Sequence, residues 1–493
     1  MSHRKQVLRR MTLSELGGAD RLYRRATINA LPDNALIETF EFYLGKDVPD
    51  RVGNHNYDGW QTLVHVCHRW RCIVFASPRR LDLKLYCTRQ RSVNSRTLDI
   101  WPALPIVIEA WNIQSKEDVT NIIAALRHHN RVCKIDYYNH EEFQDLLLKE
   151  FVAIDEPLPV LTSLRLTSWV ENVPVLPDSF LGGSAPRLRS LYLYGVPYPS
   201  IGILLSSTAN LVRLTLWDIP HSGYIAPEKI VPCLSTLSRL GSLEIGFRYP
   251  RSPTHRASRH PPPLTRAVFP NLTYLEFRGD IEYLEDILFQ IETPMLNHSE
   301  FYFFNQLVFD APLLRHFIHR TEPFMTTHTA RVRFHSSAVR VAFSRQEMAN
   351  DSVETRTLTI SCNPLGWQLS ALPQVLNSFL SSLSTLETLE IAIDHEGWQD
   401  EIDVIQWQEF LHPFSSVKKM TLKDEASVRL VAPALREFAR ERATEVLPAL
   451  QNLSLTTSGW SPPGPLKEAI EEFIATRQLY GQPVILHYQD PKK

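Results

Sequence analysis

The stretch APRLRSLYLYGV, residues 185–196, sets apolar side chains at Leu188, Leu191 and Leu193 and aromatic ones at Tyr192 and Tyr194. Side chains alternate across an extended strand, so Leu191 and Leu193 face one side while the two tyrosines face the other. The same signature, one apolar residue followed three and five positions later by two more, recurs along the chain. Its copies begin at Val132, Leu161, Leu188, Leu211, Leu240, Leu272, Leu386, Val417 and Leu450. Taking the middle residue of each, the steps from Ile135 to Leu275 are 29, 27, 23, 29 and 32 residues, and those from Leu389 to Leu453 are 31 and 33. A period of this length, too long for a hairpin and long enough for a returning helix, predicts a stacked repeat array.

These periods are those of leucine-rich repeats. Between strands, SKEDVTNIIAALRHH, HEEFQDLLLKEFV and LPQVLNSFLSSL read as amphipathic helix, which gives strand, crossover and parallel strand in a right-handed coil. The expected fold is α/β: a short N-terminal helical module, then an irregular leucine-rich-repeat solenoid over residues 98–493, with parallel strands on the concave face and helices on the convex face. Proline stands two residues before the first repeat leucine at Pro159, Pro186, Pro270, Pro294, Pro312 and Pro448, where it fixes the strand entry without removing a ladder donor. This accounts for much of the ratio of 34 Pro to 18 Gly. The asparagine usual after such strands is missing, its places being taken by residues such as Trp169, Val196, Arg248 and Asp394. Between Leu296 and Leu358 the period degrades through FYFFNQLVF and ARVRFHSSAVRVAF, and no register is assigned there. Residues 249–269, YPRSPTHRASRHPPPLTRAVF, read as an exposed Pro/Arg/Ser-rich loop in which Ser252 and Ser258 are candidate phosphorylation sites, the alternative being a solvated insertion without a role.

Ahead of the array, INALPDNALIETFEFYL (residues 28–44) has Pro32 at a plausible first helical position and Leu36, Ile37, Phe40 and Leu44 along one stripe. WQTLVHVCHRWRCIVF follows from Trp60, with Leu63, Cys67, Trp70 and Val74 at steps of 4, 3 and 4, and Pro78 stops it. Read from spacing alone, this is a helical hairpin with Leu36 and Trp70 in its core. The pair of segments also resembles the F-box of large fungal families, whose hallmarks are the leucine-proline pair and the Val-Cys-x-x-Trp turn. Asn34 replaces a usual acidic residue and the stretch from Gly45 to Gly59 is long for the pattern. That resemblance implies an F-box over residues 28–80 behind a basic tail, 1–27, with Leu31, Pro32, Leu36, Val66, Cys67 and Trp70 meeting the Skp-type adaptor, and through it the cullin scaffold, of an SCF ubiquitin ligase.

Charge and composition narrow the function. With 52 Lys+Arg against 54 Asp+Glu the net charge is -2, so no basic excess recruits nucleic acid or an anionic membrane. Hydrophobic residues at 44% and charged at 22% are globular averages. The basic N-terminus lacks the apolar core of a secretory signal and no run is long enough to cross a bilayer, so an intracellular chain, cytoplasmic or nuclear, with six reduced cysteines is expected. Chemistry is hard to place: there is no GxSxG, no glycine-rich phosphate loop, no HExxH and no paired CxxC. His128 and His129 diverge on one helix, His316 and His319 stand alone, and the neighbouring pairs Glu141–Glu142 and Glu471–Glu472 do not face each other. No catalytic role, cofactor or metal is expected.

A repeat array offers a broad surface instead of a pocket. With the leucines inward, the outward strand positions include Arg165, Tyr192, Tyr194, Arg213, Trp217, Tyr274, Glu276 and Arg278, with Glu244, Glu390 and Lys423 beside them. Tyr, Trp and Arg dominate binding hot spots, although aromatic residues also suit strands by propensity alone. The expectation is a target-binding surface, and with the F-box resemblance a substrate-recognition subunit that holds an unidentified protein for ubiquitin transfer. The alternative is a leucine-rich-repeat interaction scaffold that works without ubiquitin.

Overall fold

Burial follows the repeat signature residue by residue: Leu188, Leu191, Leu193, Leu211, Leu214 and Leu216 are all at most 3% exposed. The computed structural model describes residues 28–44, 59–87, 98, 101–111, 113, 115–139, 144–250, 266–304, 309, 311–321, 327–344, 356–361, 365–376, 383–394, 404–441, 445–456 and 462–489. The tail 1–27, the stretch 45–58 and most of the Pro/Arg/Ser-rich segment, 251–265, lie outside the described residues, and with them Ser252 and Ser258. The chain forms two compact units, one of Met1–Tyr86 with Val93–Ile106 and one of Cys87–Ser92 with Val107–Lys493.

In the first unit, helix α1 (Asp33–Leu44) buries Leu36 and Phe40, one turn apart, while Pro32 precedes it and its carbonyl accepts the Leu36 amide at 3.2 Å. The periodicity from Trp60 to Phe75 predicts one helix; the structure has two, α2 (Gly59–Val66) and α3 (His68–Ala76), broken at Cys67, whose φ of -161° and ψ of 169° are extended. Two arginines fix that break. Arg71 Nε donates to the Val64 carbonyl at 3.0 Å, replacing a helical partner lost at the end of α2. Arg69 reaches α1, its Nη2 bonding the Leu31 carbonyl and Asp33 Oδ1, each at 2.6 Å. Trp60 is buried, donates from Nε1 to the Lys84 carbonyl at 3.1 Å, and meets Trp101 edge-on at 5.3 Å. Strand β1 (Leu85–Cys87) follows.

The second unit alternates strands and helices in chain order: β2 (Ile106–Ala110), α4 (Lys116–Leu126), β3 (Val132–Asn139), α5 (Gln144–Val152), β4 (Ser163–Ser168), β5 (Ser190–Tyr194), α6 (Ile201–Leu205), β6 (Arg213–Ile219), α7 (Pro227–Ser235) and β7 (Ser242–Phe247). Next come β8 (Ala267–Val268), β9 (Tyr274–Gly279), α8 (Ile281–Gln290), β10 (Ile291–Glu292), β11 (His298–Phe303), α9 (Pro312–Arg320), β12 (Thr329–His335), β13 (Ala338–Ser344), β14 (Arg356–Ser361) and α10 (Leu365–Leu376). The series ends with β15 (Thr388–Ile393), α11 (Val404–Leu411), β16 (Lys419–Leu422), α12 (Glu425–Glu441), β17 (Asn452–Thr456), α13 (Gly464–Leu479) and β18 (Ile485–Gln489). Helix α4 starts where its sequence says, at Ser115, whose side chain accepts the Asp118 amide at 3.1 Å.

One sheet runs through this unit in the order β2-β3-β4-β5-β6-β7-β9-β11-β14-β13-β12-β15-β16-β17-β18, mostly parallel, while β8 and β10 pair apart. Each turn is bonded to the one before it: the Arg189 amide donates to Thr162, Val212 to Arg189, Gly241 to Val212 and Thr273 to Gly241, all at 2.8–2.9 Å. Pro159, Pro186, Pro270, Pro294 and Pro448 lie in turns ahead of strands, as their spacing predicts. Pro312 does not. It opens α9, where its missing amide hydrogen costs nothing, and Leu314 is a buried helical residue.

The segment without a sequence register is the one place where the sheet turns antiparallel. Strands β12 and β13 form a hairpin from His335 to Ala338, β13 runs antiparallel to β14, and β14 and β12 lie parallel to β11 and β15 on either side. The core ladder survives the reversal. From Tyr137 it passes by direct strand partners through Leu166, Leu193, Leu216, Ile245, Phe277, Phe301, Leu358, Val341, Val332, Ile391 and Leu422 to Leu455. Among the described residues no helix is long and apolar enough to cross a membrane.

Leu214 is fully buried in this array between Leu191 and Leu243. A Leu214→Ala chain is expected to lose about 2–5 kcal/mol through the cavity it leaves, read as a lower urea midpoint by circular dichroism, whereas Arg213→Ala, on the exposed face, shifts the midpoint by less than about 0.5 kcal/mol. Equal losses would mean that the leucine ladder does not carry the stability.

Candidate functional site

Among the described residues helices pack on the face that holds the ladder and none packs on the other, so on that open face every second strand residue can form a surface. Register sorts these residues into rows. One row runs Asp136, Arg165, Tyr192, Thr215, Glu244, Glu276 and Glu300 across β3 to β11. Two positions further along the strands a second row holds Tyr138, Thr167, Tyr194 and Trp217, and then Gly246, Arg278 and Tyr302. The eight residues expected to make a target surface are all on this open face. Arg165 and Arg213 are exposed; Tyr192, Tyr194, Trp217, Tyr274, Glu276 and Arg278 are half-buried.

Local packing orders them. The Arg165 guanidinium stands over the Tyr192 ring at 4.6 Å, and Trp169 packs on Tyr194 with centroids 4.4 Å apart. Trp217 lies across Gly246, where any Cβ would come within 2.6 Å of the indole, so glycine is the residue that lets the ring lie flat on the sheet. At Gly195, with φ of 66°, a Cβ would meet the Ser168 carbonyl at 2.1 Å, so only glycine permits this strand exit beneath Tyr194. Where β6 shifts register after Leu216, Asp218 adopts φ of 56° and binds Arg248 Nε at 2.7 Å with both side chains largely buried.

The centre of the face is acidic. Glu244, Glu276 and Glu300 are direct partners on three successive strands. Burial pushes the Glu244 and Glu276 carboxyls above the ordinary glutamate range, despite hydrogen bonds from Thr215 and Ser242 to the first and from Tyr274 to the second. The hydrogen bond from His298, at 2.9 Å, holds Glu300 below that range. The Tyr274 hydroxyl donates to Glu276 at 2.6 Å while its ring stacks on His298 at 4.8 Å. Burial and the same glutamate raise the Tyr274 pKa. At one end of the row, burial raises Asp136 against the pull of Arg165 and Lys134.

Some of this site was not read from sequence. Glu300, His298 and Tyr302 on β11 and Arg331 on β12 complete the face, and their signal is the strict alternation in HSEFYF and ARVRFH. Arg331 binds Glu390 at 2.8 Å and Lys423 binds it at 3.0 Å, so although burial favours the neutral acid, these two cations hold Glu390 below its ordinary value.

In the first unit, the six residues expected at an adaptor surface divide. Leu31 (41% exposed), Pro32 and Val66 (56%) stand in solvent, and Cys67 and Trp70 are half-buried. Leu36 is fully buried, which corrects its assignment to a contact surface: its side chain faces inward from α1 beside Phe40, whose ring packs on Trp70 at 4.7 Å. Ile28, Phe42 and Tyr43 are also exposed. Among the described residues no group of three His, Cys, Asp or Glu side chains could hold a metal ion. One small cavity of about 170 Å³ is lined by Arg266, Phe289, Leu313, His316 and Arg320 on the helical side.

No family model matches the chain, and no curated protein matches it. Among solved structures it is similar to the leucine-rich repeat-containing protein LegL7 from Legionella pneumophila, at 14% identity, covering 68% of this chain and 97% of that one, with a TM-score of 0.30. The leucine-rich-repeat-like description therefore rests on the strand register and the buried ladder themselves.

The raised Glu244 carboxyl makes a pH prediction. Above its native pKa the ionised, half-buried group costs folding free energy, and below the unfolded value of 4.5 both states hold the proton and the cost is gone. Glu244→Gln is expected to raise the thermal midpoint at pH 7, with the gain shrinking to nothing as the pH falls below 4.5. A gain that is the same at both pH values would place its origin elsewhere.

Proposed function

We propose that this chain is the substrate-recognition subunit of an SCF-type ubiquitin ligase. Its N-terminal helices dock to a Skp-type adaptor, and through it to a cullin scaffold, while the open sheet face holds a target protein. The chain does no chemistry itself in this reading. It raises the effective concentration of the target near a charged conjugating enzyme, a contribution of proximity.

The observation that carries the reading is the position of exposed apolar side chains in the first unit. Leu31, Pro32 and Val66 belong to the leucine-proline pair and the Val-Cys-x-x-Trp turn that resemble an F-box, and these three lie in solvent at the tips of short helices. A helical unit of this size needs its apolar residues for its own core, and apolar side chains left outside at these motif positions support the reading of a surface for another chain. Arg69 supports this surface by tying the start of α3 to the Leu31 carbonyl. On the open face, a broad surface with Tyr, Trp and Arg fits protein binding better than enclosure of a small molecule.

Co-purification with a Skp-type adaptor tests the proposal. The intact chain is expected to form a stable complex, and a Leu31→Ala, Pro32→Ala chain with an unchanged circular dichroism spectrum is expected to bind at least about 30-fold more weakly, the scale of losing a hot spot of about 2 kcal/mol. Failure of the intact chain to bind would overturn the ligase reading and leave a repeat scaffold whose helical start serves another purpose.

A further inference from the structure

Three arginines on and beside the open face are answered by carboxylates: Arg248 by Asp218, Arg331 by Glu390 and Arg333 by Asp394. Arg278 is different. On β9, in the middle of the aromatic row, its side chain makes no hydrogen bond or ion pair with any described residue, and its Nε is buried without a partner. The guanidinium is instead held by rings, 5.3 Å from the centroid of Tyr302 and 5.7 Å from that of Phe304. Two glutamates in the adjoining row are committed elsewhere: Glu276, two residues back, accepts from Tyr274, and Glu300 accepts from His298. The strand partner of Arg278 on β7 is Gly246, which has no side chain to bond it, and Trp217 lies over that glycine. The result is a half-buried, ring-oriented planar fork of donors beside Tyr194 and Trp217, in a place where water is partly excluded.

We propose that Arg278 is the anion-receiving centre of the open face, and that the protein segment bound there presents an Asp or Glu side chain to it, with an adjacent apolar residue against Tyr194 and Trp217. This rests on the reading of the open face as a target-binding surface and adds the chemistry of the target. A carboxylate fits better than a phosphate ester because Glu244, Glu276 and Glu300 lie in the adjoining row. Their field repels a dianion about twice as strongly as a monoanion, while a carboxylate still satisfies both parallel donors of the guanidinium.

The test uses the full chain, fluorescently labelled, on an immobilised library of random 12-residue synthetic peptides, with phosphoserine versions of the acidic members included. Peptides retained by the unaltered chain are expected to be enriched in Asp or Glu beside an apolar residue. Arg278→Met, checked for an unchanged thermal midpoint, is expected to weaken them at least about 10-fold, Arg278→Lys to weaken them less, and Arg315→Met, at an exposed position of helix α9 outside the open face, to leave them unchanged. Retained peptides without an acidic preference, an acidic preference that survives Arg278→Met, tighter binding of the phosphoserine versions, or no retained peptide would each overturn the proposal. Adaptor co-purification on the same preparations separates the two ideas: acidic peptides bound without the adaptor would sink the ligase reading and keep this one, and the reverse result would do the opposite.

Discussion

The structure depends on one constraint: strand after strand must place an apolar residue opposite the apolar residue of its neighbour. From Tyr137 to Leu455 the partners are Leu, Ile, Phe, Val or Tyr at every step, and nearly all are completely buried. A single repeat cannot remove those side chains from water, so stability spreads through neighbour interfaces and the surface inherits its order from the core. A slip of one residue would exchange the two faces, exposing Leu193 and burying Tyr192. The open face is thus fixed as tightly as the ladder beneath it.

That inheritance explains why charged residues can be concentrated there. Glu244, Glu276 and Glu300 are brought side by side because Leu243, Leu275 and the buried Ile245, Phe277 and Phe301 must stack behind them. Left to themselves three carboxylates would separate. The sheet holds them, and the raised pKa values of two of them register the cost. Farther along, the hairpin of β12 and β13 places Arg331, Arg333 and Arg340 on the same sheet, giving the face alternating acidic and basic zones.

The loss of period between Leu296 and Leu358 has a specific cause. Strand β11 follows the signature from Leu296 to Phe301 except for Ser299 at the middle position, and its partner on β14 at that level is Arg356. Both are almost completely buried, and Arg356 Nη2 donates to the Asn297 carbonyl at 3.3 Å. A polar pair thus stands where two leucines would, so a search for leucines fails while the ladder on either side continues. The hairpin was legible by another signal, the alternation of Ala330, Val332 and Phe334 with Arg331 and Arg333, which is a period of two and independent of any repeat.

Sequence alone determined the repeat period, which residues face the core in most strands, the turn prolines and the eight residues of the open surface, because each depends on local spacing along one strand or turn. Only the tertiary structure decided what depends on distant partners. Pro312 opens a helix instead of a strand entry, and the stretch from Trp60 to Phe75 breaks at Cys67, where Arg71 bonds Val64 and Arg69 reaches Leu31. Leu36 turns inward while Leu31 and Val66 turn outward, a division that helical spacing cannot make when all three are apolar. It also decided that Arg278 has no carboxylate partner among the described residues, Glu276 and Glu300 being claimed by Tyr274 and by His298, and whether a charge finds a partner is settled by the neighbours that folding supplies.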